Sequence, residues 1–124
     1  MARRSRLYLP DCPLHIIQRG NNRDACFRDD SDYKAYLYFM REAAAQYGVS
    51  IHAFVLMTNH VHILATPSTE KSVSRMMQSI GRRYVQYFNH TYSRTGTLWE
   101  GRYKSTLVDT IHKPPFCMRF LYEV

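Results

Sequence analysis

The residues best placed to do chemistry are His60 and His62, in the run N-H-V-H-I-L at 59–64. The longer stretch S-I-H-A-F-V-L-M-T-N-H-V-H-I-L-A-T predicts two strands, 50–57 and 60–66, joined by a tight turn. Side chains alternate along a strand, so His60 and His62 share one face while Val61 and Ile63 face the core. Two imidazoles about 7 Å apart on a rigid strand can converge on one divalent ion. The same spacing also suits two polar residues on a solvent-facing strand. A closed zinc site would need further Cys, His, Asp or Glu ligands, and the chain has no C-x-x-C or H-E-x-x-H motif. His52 has no such neighbour and is read as structural or supporting, not as a ligand.

Other elements must hold this strand. L-H-I-I-Q-R-G (14–20) is β-prone and ends in a G-N-N turn signal. Residues 32–47 predict a helix with Tyr33, Leu37, Met40, Ala44 and Tyr47 on its apolar face, capped by Asp29, Asp30 or Ser31 and closed by Gly48. Pro67 closes the hairpin. Residues 71–90 predict a second helix with the stripe Val73, Met76, Met77, Ile80, Tyr84, Val85 and Phe88, capped by Ser68 or Thr69. A strand over 103–109 follows, then Pro114-Pro115 and a short stub. The order β-α-β-β-α-β predicts an α+β, ferredoxin-like sandwich: one four-stranded antiparallel sheet, helices on one face, the other face open.

The chain has 124 residues, 45% of them apolar, which suits one folded domain over 1–124. Lys and Arg number 17 against 10 Asp and Glu, a net charge of +7, so polyanions are the expected partners, nucleic acid before acidic membranes. The cations cluster at Arg3, Arg4, Arg6, Arg19 and Arg23, and again at Lys71, Arg75, Arg82, Arg83, Arg94, Arg102 and Lys104. Glu100 is the one acid between 71 and 105, so this reads as a phosphate-contacting footprint. Trp99 and Tyr103 suit stacking on bases, and Trp99 equally suits a core anchor. Asn59 shapes the turn, and Met57, Met76 and Met77 read as core filler. Cys12, Cys26 and Cys117 make neither a disulfide framework nor a metal pair, consistent with a reducing, cytoplasmic setting. The basic N-terminus is followed by no apolar signal region, and no run approaches transmembrane length.

Taken together, R-G-N-N, H-A-F-V-L-M-T-N-H-V-H-I-L and S-I-G-R-R-Y-V-Q-Y-F-N-H-T-Y-S-R-T-G-T-L-W-E-G-R-Y-K-S-T-L-V-D resemble the IS200-like, REP-associated tyrosine transposases. These form the single-tyrosine branch of the HUH nucleases, in which U is a hydrophobic residue. The resemblance covers about residues 3–110. It implies that His60 and His62 bind Mg2+ or Mn2+, which polarises a scissile phosphate in single-stranded or hairpin DNA. A tyrosine on a C-terminal helix then attacks, leaving a 5′-phosphotyrosine and a free 3′-OH for strand transfer. Tyrosine is a weak nucleophile with a pKa near 10, hence the need for an activated phosphate. The resemblance also implies a homodimer.

The C-terminus departs from the pattern. The family's helix reads R-Y-I-x-x-N-P, with the tyrosine as nucleophile and the asparagine similar to a third metal ligand. Here the chain reads C-M-R-F-L-Y-E-V. Matching Arg119 to the arginine puts Phe120 at the nucleophile and Val124 at the asparagine, with Tyr122 about 200° further round a helix. Two expectations follow: a transposase using Tyr122, with Tyr103, Tyr92 or Tyr84 as substitutes, or a cleavage-inactive DNA-binding remnant with a truncated C-terminal helix. An RNA-binding open sheet is a third reading, but H-V-H-I-L-A-T lacks the aromatic pattern such sheets carry.

Overall fold

The computed structural model describes residues 12–108. Arg3, Arg4, Arg6, Cys117, Tyr122 and the expected C-terminal stub lie outside them.

Alternating apolar residues make β1 (Leu14–Arg19), which enters a short 3-10 turn at Asn21–Arg23. Helix α1 (Asp30–Tyr47) starts at Asp29, whose carboxylate accepts the Ser31 N–H at 3.3 Å. Asp32 in turn accepts the Asp29 N–H at 3.1 Å, completing a capping box. Gly48 ends the helix in the left-handed conformation, φ 70°, which a side chain would disfavour. Strands β2 (Val49–Met57) and β3 (His60–Pro67) form the hairpin around Thr58-Asn59. Then come α2 (Ser72–Thr91) and β4 (Lys104–Leu107).

All strand pairs are antiparallel and the order is β2-β3-β1-β4, the ferredoxin-like arrangement. Val61, Ile63 and Ala65 of β3, with Leu14 and Ile16 of β1, pack under both helices. Phe27, Tyr36, Tyr84, Phe88 and Trp99 fill the same core, and the Tyr84 hydroxyl donates to the Cys26 carbonyl at 2.5 Å. The other sheet face has no described helix. It nonetheless buries Ala53, Val55, Leu64 and Val108 as a second apolar cluster.

Several local expectations are corrected. The buried face of α1 is Asp32, Tyr36, Met40, Ala43 and Ala44, while Tyr33, Leu37 and Tyr47 sit at its margin. The face turns because Asp32 points inward, where it accepts four hydrogen bonds, and apolar periodicity treats an aspartate as exterior. Neither Ser68 nor Thr69 caps α2; Lys71 stands at that position without a side-chain bond, and Ser72 Oγ accepts the Thr69 N–H at 3.1 Å. Met76 and Met77 are core, but Met57, last in β2, is 44% exposed.

Candidate functional site

Strand alternation places His60 and His62 on the sheet face away from the helices, as expected. Their ring centroids are 4.9 Å apart. The antiparallel register sets Arg19 opposite His60 and Ile17 opposite His62. The residue the sequence reading missed is His15. It shares the face of Ile17 and Arg19 and lies diagonal to His62. Its Nε2 is 3.1 Å from His62 Nδ1, with the rings stacked at 5.2 Å. Alternation along L-H-I-I-Q-R carried that signal, but only the β1–β3 register turns it into a contact.

On the turn side, His60 Nδ1 is 2.7 Å from Asn59 Oδ1. An amide oxygen only accepts, so Nδ1 donates and the lone pair is on Nε2. When His62 Nδ1 likewise donates to His15, both histidines present Nε2 as the basic atom. An acceptor behind each ring is the usual way a metal-binding histidine is oriented. Asn59 thus does more than shape the turn.

Burial, then the Arg19 charge, lowers the His60 pKa, and burial lowers that of His15. Burial, followed by the neighbouring His15, His60 and Arg19, brings His62 from 6.5 down to about 4. The rings are therefore neutral at pH 7, the form that ligates. A depressed imidazole pKa means that the unfolded chain takes up a proton near pH 6.5 and the folded one does not. Stability should fall as pH drops from about 6.5 toward 4. Between pH 7.5 and 5 in chelator, the loss attributable to His62 should be about 2 kcal/mol. Urea unfolding of the protein and its His62→Gln variant checks this; equal slopes against pH would refute it.

The pair fits two ligands of a divalent ion. Among the described residues no group of three or more His, Cys, Asp or Glu is arranged to hold one. His52 lies elsewhere on β2, its Nε2 2.7 Å from Thr66 Oγ1.

Beside the pair, Arg19, Gly20, Arg23, Asn59, His60 and Glu100 line a pocket of about 400 Å3. Gly20 is required there. A Cβ would meet Asp24 O and Cys26 Sγ at 2.6 Å, and its N–H donates to Asn59 O at 2.8 Å. That contact joins the R-G-N-N turn to the histidine hairpin, and Arg23 of the same turn, in a left-handed conformation of φ 59°, also lines the pocket.

The other cations divide. Arg75, Arg82, Arg102 and Lys104 are exposed. Arg83 pairs with Glu42 at 2.8 Å on the surface and lies 4.5 Å from the centroid of the Phe39 ring, so it has an acidic partner within the fold. Trp99 and Tyr103 are 7% and 8% exposed and belong to the core, which removes them as open stacking platforms. The substitute tyrosines also lie on the helix side. Tyr84 is buried, Tyr92 donates to Asp32 at 2.6 Å, and Tyr103 packs in the core. The hydrogen bond to Asp32, with burial, raises Tyr92 to about 12, and burial raises Tyr84 and Tyr103. None of the three is near the histidines or activated.

Among the solved structures that share this fold are two of transposase type. One is a REP-associated tyrosine transposase bound to a REP hairpin, 16% identical, with a TM-score of 0.71 over 98% of this chain and 71% of that one. The other is a candidate transposase from Deinococcus radiodurans R1, 22% identical, with a TM-score of 0.65 over 96% and 95%. No curated protein matches the chain. The family model described as "Transposase IS200 like" matches residues 8–114 and so spans the histidine strand, the R-G-N-N turn and both helices. The chain belongs to the IS200-like transposase family.

Proposed function

We propose that this chain is a DNA-binding member of the transposase family, engaging single-stranded or hairpin DNA at the pocket beside His60, and that it does not itself cleave. The observation that carries the binding reading is the pocket's lining, in which Arg19 and Arg23 join His60 and Glu100 is the single carboxylate. A fold relative bound to a REP hairpin supports DNA of that form. Arg75, Arg82, Arg102 and Lys104 are exposed, and with Arg3 and Arg4 they complete the proposed footprint. The non-cleaving reading rests on the C-terminal motif, where Phe120 takes the place of the family's nucleophilic tyrosine. The eight described tyrosines lie on α1, on α2 and its C-terminal cap, or in the core.

Replacing Arg19 and Arg23 together with alanine should weaken binding of a hairpin oligonucleotide about tenfold in 100 mM salt. The slope of log K against log salt should fall by about 1.4, the share of two single-strand phosphate contacts. Fluorescence anisotropy over a salt series measures both, and an unchanged slope would remove these arginines from the interface.

The second reading is an active transposase. It keeps His60 and His62 as metal ligands for Mg2+ or Mn2+ and takes Tyr122 as the nucleophile, in a homodimer. A bound divalent ion would there supply Lewis-acid polarisation of the scissile phosphate. The chain's own contribution is two neutral imidazoles held by Asn59 and His15, with arginines beside them to position the strand. Incubating the protein with hairpin-bearing single strands and Mn2+, then running a denaturing gel, decides between the readings. A covalent adduct lost in Tyr122→Phe establishes the second, and binding without adduct establishes the first.

A further inference from the structure

On the helix side of the sheet, a larger pocket of about 810 Å3 opens between α2 and the 97–103 segment. The histidine pair, on the opposite face, does not line it. Gly81 stands near the middle of the 20-residue helix α2 and forms part of this wall. Glycine is the poorest helix former after proline. Its backbone there is not left-handed, and an added Cβ would meet nothing within 4 Å. Neither conformation nor packing calls for glycine, and what its missing side chain provides is open space in the pocket.

The rest of the lining is specific. Arg82 on the helix and Arg102 on the loop bring positive charge from both walls, and none of the described residues lining the pocket is acidic. Gln18, Gln78 and Gln86 offer amides, which both donate and accept. Trp99 forms part of the wall, and its buried indole Nε1 has no hydrogen-bond partner among the described residues. A buried indole N–H usually finds an acceptor. Paired guanidiniums suit a phosphate, and amides around a slot suit the polar edge of a planar base.

We infer that this pocket holds one unpaired nucleotide of the bound DNA, with its base in the space left by Gly81 and its phosphate between Arg82 and Arg102. The inference rests on the DNA-binding reading and deepens it. Glu100 lines the histidine pocket while Trp99, Gly101 and Arg102 line this one. A strand crossing the 99–102 segment therefore reaches both, and the second pocket reads a base away from the histidines.

The test is an abasic scan. Hairpin oligonucleotides with single-stranded flanks, each lacking one base, are titrated by anisotropy against the protein and against Gly81→Leu and Gln78→Ala. For the unaltered protein, one abasic position should cost about tenfold in affinity. Gly81→Leu fills the slot, so it should bind the complete oligonucleotide about tenfold more weakly and show no penalty at that position. Gln78→Ala should reduce the same penalty. Leucine is the better helix former, so the melting temperature should match or exceed that of the unaltered protein, which separates a filled pocket from a damaged fold. An abasic profile in Gly81→Leu identical to the unaltered one overturns the inference while leaving DNA binding intact. Stronger binding of the ribose version with the same profile overturns the assignment to DNA. Failure of the unaltered protein to bind any oligonucleotide overturns the underlying reading as well.

Discussion

Replacing His60 and His62 together with alanine should abolish Mn2+ binding, while hairpin DNA affinity changes by no more than about threefold. Metal affinity depends on neutral imidazoles that can converge on one ion, and in the proposed metal site His60 and His62, with ring centroids 4.9 Å apart, are the two ligands. DNA affinity in the proposed reading comes from cations around the pocket, which the double variant keeps. The acceptors behind the rings should have graded effects. Asn59→Ala frees the His60 ring to turn and should weaken Mn2+ about tenfold, the usual range for an orienting partner. Titration calorimetry with Mn2+, paired with anisotropy on the same samples, gives both affinities. Retention of Mn2+ by the double variant would move the metal site elsewhere. Loss of DNA binding alongside the metal would tie the two functions together and count against a binding surface built on arginines.

The largest effect on stability should come from Asp32→Ala, at about 3–5 kcal/mol. Asp32 is wholly buried, yet its carboxylate accepts from Arg28 N at 2.8 Å, Asp29 N at 3.1 Å, Tyr87 OH at 2.8 Å and Tyr92 OH at 2.6 Å. Burial alone would raise its pKa, but these hydrogen bonds outweigh burial and leave it lowered. Alanine removes the one acceptor common to the start of α1 and the end of α2. A loss of this size is a large part of the 5–15 kcal/mol that typically holds a domain. Asp32→Asn keeps the volume and some acceptor capacity and should cost less. Urea midpoints at pH 7 measure all three proteins, and a midpoint shift for Asp32→Ala worth under 1 kcal/mol would show that the network reforms around water. A carboxylate with a lowered pKa contributes stability above its unfolded value near 4, lost as pH falls through the folded one. Acid should therefore act first on the histidine cluster and then, below about pH 4, on this network.

The chain's periodicities determined the elements, the order β-α-β-β-α-β and the shared face of His60 and His62. These depend on local geometry, two residues per repeat in a strand and 3.6 in a helix, which a sequence states directly. The family motifs are local runs as well. The tertiary structure alone decided what each side chain meets. Register brought His15 to His62 across 47 residues. Packing of α1 on α2 gave Arg83 the partners Glu42 and Phe39, which its place beside Arg82 in the sequence does not show. Asp32 turned inward because its hydrogen-bond donors come from residues 28, 29, 87 and 92, partners that no apolar stripe records. Trp99 and Tyr103 became walls instead of stacking platforms because the loop before β4 folds against the core, where Trp99 bridges to Gly20. Contacts between residues far apart in sequence follow from how the elements dock, and that is written only in three dimensions.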